Sequence, residues 1–99
     1  MGYPSLPPVV KTATGLVYSG KCMLHGFLIG TDGVNDPTIT VYNNTEASGD
    51  EAIPTCTYDA SQLNLNGATG LKVYCDKGLY ISISCSGAVE VVLFYAPLR

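Results

Sequence analysis

Tryptophan is absent from this 99-residue chain, histidine occurs once, and only 13% of the residues are charged. Soluble domains typically carry about a quarter charged residues. So few charges, with a formal net charge of −3, argue against nucleic acid as a partner, because a basic stripe is needed to neutralise phosphates. The same balance argues against an anionic membrane surface. No apolar run is long enough to span a bilayer. The first eight residues, with Pro4, Pro7 and Pro8, lack the basic start and apolar run of a signal peptide. Synthesis in a cytosol is the expectation.

Chemistry-bearing patterns are also missing. His25 would need a nearby nucleophile or an orienting carboxylate to act as a general base. Cys22, three positions away along a strand, falls on the opposite face. No Gly-x-Ser-x-Gly elbow occurs, and no glycine loop opening a helix offers a phosphate cradle. Cys22, Cys56, Cys75 and Cys85 contain no Cys-x-x-Cys pair, so a zinc site has no support. The reading is a non-enzymatic protein with no cofactor and no metal. The absence of tryptophan also removes the Cys-Trp-Cys layout of an immunoglobulin domain.

What is present is alternation. Leu79, Ile81, Ile83 and Cys85 alternate with Tyr80, Ser82 and Ser84. After Ser86-Gly87, Val89, Val91, Leu93 and Tyr95 alternate with Glu90, Val92 and Phe94. A period of two on both sides of a turn predicts a β-hairpin over Gly78–Pro97 with one buried face. Shorter runs predict strands at 15–20, 21–31, 38–43, 52–60 and 71–75, with a loop over 61–69. Gly26 inside the second run suggests a bulge or a close backbone approach. Pro54 suggests an edge strand or a strand start. The fold class is all-β: an antiparallel β-sandwich, jelly-roll-like, of about 7–8 short strands. Residues 1–15 are expected as an extended arm and residues 16–99 as a single sandwich domain.

Alternation places all four cysteines on inward positions, Cys22 together with Leu24 and Leu28. Buried thiols in a cytosolic product are expected to stay reduced. The outward positions are unusual for a soluble domain. Tyr42, Tyr74, Tyr80, Val92 and Phe94 would form an outer face with few charges, as an oligomer interface does. Tyr3, Leu6, Val9 and Val10 would anchor the arm on a neighbouring subunit. Asp32, Asn35 and Asp36 gather oxygens in the 31–37 loop, a possible ligand loop, although Asx-turn chemistry accounts for them without a metal.

Three stretches carry a resemblance: Tyr18-Ser19-Gly20-Lys21-Cys22-Met23-Leu24-His25-Gly26, then Thr31-Asp32-Gly33-Val34-Asn35-Asp36-Pro37-Thr38-Ile39-Thr40-Val41-Tyr42-Asn43, then Asp76-Lys77-Gly78-Leu79-Tyr80-Ile81-Ser82-Ile83-Ser84. Over about residues 16 to 95 the chain resembles small β-sandwich virion proteins of tailed bacteriophages, of the head-decoration or fibre type. The resemblance implies a structural role on the particle exterior, with synthesis in the host cytoplasm. Its implied partners are further copies of the chain, for which a trimer would fit, and the major capsid protein or another virion protein. The alternative is a receptor- or glycan-binding module of a tail or head fibre, reading a host surface glycan through the 31–37 and 43–50 loops. No catalytic residue is implied.

Overall fold

The computed structural model describes residues 9–61 and 65–98. Eight strands follow one another: β1 (Val9–Lys11), β2 (Gly15–Ser19), β3 (Cys22–Thr31), β4 (Thr38–Tyr42), β5 (Glu51–Thr57), β6 (Leu65–Cys75), β7 (Gly78–Ser84) and β8 (Val89–Pro97). They form two four-stranded sheets, ordered β1-β8-β3-β6 and β2-β7-β4-β5. Every neighbouring pair is antiparallel.

The order has a simple origin. β4 and β5 are joined by residues 43–50, closed by Asn43 N–H donating to the Asp50 carbonyl at 2.8 Å. Outward from that hairpin, β3 pairs with β6, β2 with β7 and β1 with β8. A long antiparallel ribbon bent at β4–β5 and rolled on itself places β8 beside β3 and β7 beside β4. This is the jelly-roll topology, and it makes the chain change sheets at every connection except β4–β5.

One expectation falls with that topology. Gly78–Ser84 and Val89–Pro97 are strands, as their alternation predicts, but they are not a hairpin: β7 lies in the second sheet and β8 in the first. Period-two alternation says that a strand buries one face. It does not say which strand lies beside it. Ser86-Gly87 therefore carries the chain across the sandwich instead of reversing it within a sheet.

The inward rows meet in one core. Leu24, Phe27, Ile29, Val91, Leu93 and Tyr95 of the first sheet pack with Ile39, Val41, Leu79 and Ile81 of the second. Each large aliphatic buried here contributes roughly 1.5–3 kcal/mol. Two aromatic contacts join the layers, one between β2 and β8 and one from β3 to the residue just after β5. Tyr18 and Tyr95 have ring centroids 5.3 Å apart, and Phe27 meets Tyr58 edge-on at 6.3 Å.

Irregularities decide which residues face out. The β3 register shifts between Leu24 and Gly26. Leu24 and Phe27 are both buried, while His25 is exposed. The extra residue inverts the alternation beyond it, so Leu28 points outward and does not join Cys22 in the core. A side chain at Gly26 would sit 2.7 Å from the Ala68 carbonyl oxygen, the close backbone approach expected there. Pro54 lies on β5, an edge strand whose register shifts between the partners of Ile39 and Val41; edge and bulge both tolerate its missing N–H.

Other boundaries move. Residues 65–69, expected as loop, belong to β6. Of the expected arm over 1–15, residues 1–8, including Tyr3 and Leu6, lie outside the described residues. Val9–Lys11 pairs with β8 and Gly15 opens β2, so this part of the arm belongs to the sandwich. Cys22 and Cys75 are buried and Cys85 half-buried, but Cys56 is exposed. Cys56 stands opposite the buried Ile39, yet it lies on an edge strand, where alternation alone does not ensure cover.

Candidate interaction face

Both sheets have an outer side, and the two differ in chemistry. On the first sheet the register sets up three outward rows. Val10, Val92, Leu28 and Gly67 make one. Phe94, Gly26 and Thr69 make the second, and Ala96, Met23 and Tyr74 the third. Val10 and Tyr74 are each 53% exposed, and Met23, Leu28, Val92, Phe94 and Ala96 are half-buried. The charged residues of β3, β6 and β8 are only Lys72, on the edge strand, and Glu90, at the start of β8. The middle of the face is thus apolar and uncharged.

The area of this face can be bounded from sheet geometry. The strands β1, β3, β6 and β8 run to 3, 10, 11 and 9 residues; at about 3.4 Å per residue and about 4.8 Å between strands they cover roughly 540 Å². Two such faces in contact would bury about 1,100 Å², just above the roughly 1,000 Å² that a specific interface needs.

The outer side of the second sheet is hydroxyl-rich. Leu16, Tyr80 and Tyr42 form a row across β2, β7 and β4. Thr40 faces Ser82, and Thr38 faces Ser84. Edge strand β5 extends both rows: the Thr40 and Thr55 hydroxyls are 2.7 Å apart, as are those of Thr38 and Thr57. Tyr42 and Tyr80 therefore lie on the opposite side of the sandwich from Tyr74, Val92 and Phe94. Alternation had grouped all five on one face because it does not assign strands to sheets. Val9 takes an inner position and packs against the core, whereas Val10 is the outward residue of β1.

The 31–37 loop is held together internally. Asp32 Oδ1 accepts the backbone N–H groups of Val34 and Asn35, each at 2.9 Å, and Oδ2 accepts Asn35 Nδ2 at 2.8 Å. These bonds, those from Asn35 foremost, hold the Asp32 carboxyl down at about 2. Asp36 Oδ1 accepts the Ala60 N–H at 2.9 Å, and the Asn35 carbonyl accepts the Cys85 thiol at 3.6 Å. Asp32 also borders an open groove of about 460 Å³, with Thr12, Thr31, Gly87 and Glu90. The 43–50 loop does not share that groove. It leaves the opposite end of β4 and is tied to the β6–β7 turn, where Asn43 Nδ2 donates to Asp76 Oδ1 at 2.8 Å and Asn43 Oδ1 accepts Lys77 N–H at 3.0 Å. The two loops thus lie at opposite ends of β4.

Among the described residues, no three His, Cys, Asp or Glu side chains converge in a way that could hold a metal ion. His25 is exposed on the β3 bulge while Cys22 faces the core, so they do not form a dyad. Comparison with protein families, with curated proteins and with solved structures finds no match.

Proposed function

We propose that this protein is a non-enzymatic structural subunit of a tailed-bacteriophage virion, a homo-oligomeric decoration or accessory protein on the capsid exterior. The observation that carries the self-associating part is the outer face of the first sheet, where Val10, Met23, Leu28, Tyr74, Val92 and Phe94 leave an apolar surface without a central charge. The virion part rests on the resemblance of residues 18–26, 31–43 and 76–84 to small β-sandwich virion proteins of tailed bacteriophages, of the head-decoration or fibre type. A jelly roll is compatible with this role but does not select it, since capsid proteins, lectins and cupins share it. A face at the low end of interface size suits a repetitive surface, where many modest contacts add through multivalency. Further copies of the chain and the major capsid protein are the partners.

The test is the copy number of this protein in purified particles of a phage that encodes it, by quantitative mass spectrometry against the major capsid protein. Hundreds of copies per particle are expected. Absence from the particle would refute the proposal.

A second reading, a glycan-binding module, is favoured by the other side of the molecule. Tyr42 and Tyr80 stand side by side next to rows of threonine and serine hydroxyls. An aromatic platform with neighbouring hydroxyls can stack on a sugar ring and hydrogen-bond its edges. A glycan array in which a signal is lost on Tyr80→Ala would support it, and a silent array would remove it.

A further inference from the structure

Cys22 opens β3 and Cys75 ends β6, and the two are register partners across that antiparallel pair. Such partners have Cα atoms about 4.5 or 5.5 Å apart, depending on their position in the ladder. Both values fall inside the window of about 4.4–6.8 Å that disulfides occupy. Both side chains face the core, and both residues are 0% exposed. The Cys75 thiol donates to the Val73 carbonyl of its own strand at 3.9 Å.

We propose that Cys22 and Cys75 are the site of an intramolecular disulfide that a low-molecular-weight disulfide, such as glutathione disulfide, installs on the folded or refolding chain. Cys85 and Cys56 differ from this pair: Cys56 is exposed and stands opposite Ile39, and Cys85 is half-buried and lies beyond the end of β7. The bond would tie edge strand β6 to central strand β3 and close a loop of roughly 50 residues, long enough for a large restriction of the unfolded chain.

The chemistry is two exchanges. The thiolate of one cysteine attacks a sulfur of glutathione disulfide and expels one glutathione thiolate. The second cysteine's thiolate then attacks the protein sulfur of the mixed disulfide and expels the other glutathione. Two thiols lose two protons and two electrons, and one glutathione disulfide becomes two glutathiones. Burial, and then the neighbouring Cys75 sulfur, push the Cys22 thiol up to about 12, and burial raises Cys75. Thiolate is therefore scarce in the native state. Oxidation proceeds slowly there and readily during refolding, when both thiols meet solvent.

The experiment uses the full chain carrying Cys56→Ser and Cys85→Ser, refolded in a glutathione redox buffer and also incubated natively with glutathione disulfide. After refolding, the expected product is two hydrogens lighter, gives a cross-linked peptide joining Cys22 to Cys75, and melts about 10 °C or more above the reduced form. Dithiothreitol should reverse the rise, and Cys75→Ser in the same background should show none. Free thiols or separate glutathione adducts after refolding would overturn the proposal. So would a cross-link that leaves the melting temperature unchanged or lowers it.

Discussion

Phe94 stands directly opposite Gly26 in the β8–β3 register, on the outer side of the first sheet. Gly26 cannot gain a side chain without meeting the Ala68 carbonyl, so no cross-strand side chain shields Phe94 on that flank. Phe94→Glu would place a charge in the middle of the apolar face without touching the core. The expected outcome is loss of self-association, read as a fall in molar mass by light scattering, with an unchanged β-sheet circular dichroism spectrum. A folded mutant that keeps the wild-type molar mass would exclude this face as the contact.

Gly78 begins β7 with φ of 153°. A Cβ there would press on the Tyr18 carbonyl oxygen at 2.5 Å, and backbone is a neighbour that cannot swing aside. Gly78→Ala is expected to destabilise the fold by about 1–3 kcal/mol, measured by urea denaturation. The substitution tests the β2–β7 pairing, since a neutral effect would mean that these strands do not approach as described.

Asp32 links stability to acid. Its ordinary carboxyl value of 3.8 falls to about 2 in the fold. A lowered native value means that the unfolded chain binds the proton first as pH drops. The contribution is therefore fully present above about pH 4 and is lost as pH falls toward 2. Asp32→Asn should flatten the pH dependence of the urea midpoint in that interval. An unaltered slope would show that the Asx turn at Val34 and Asn35 does not form in solution.

The thiols should separate by reactivity. Cys56 is exposed, whereas Cys22 and Cys75 are buried with their thiols held protonated. Titration of the reduced native protein with a chromogenic disulfide should modify Cys56 first. Cys22 and Cys75 should react far more slowly in the native protein and readily only on unfolding, as peptide mapping of the modified sites would record. Early labelling of Cys22 would contradict its place in the core.

Much of this was legible in the primary structure. Alternation at 79–85 and 89–95, short strands between turn residues and the absence of a helical period determined an all-β sandwich, and with it most core residues, because a strand with one buried face must repeat every two positions. Gly26 and Pro54 announced irregularity where β3 bulges and where β5 forms an edge. Three things were decided only by the tertiary structure. The sheet to which each strand belongs set Tyr42 and Tyr80 on one side of the molecule and Val92 and Phe94 on the other. The β3 bulge turned Leu28 outward, since one added residue inverts every position beyond it. The pairing of β3 with β6 brought Cys22 and Cys75 together from distant parts of the chain. Local sequence encodes which face of a strand is apolar. The partner across the ladder is selected by how the whole ribbon rolls to bury those faces against one another.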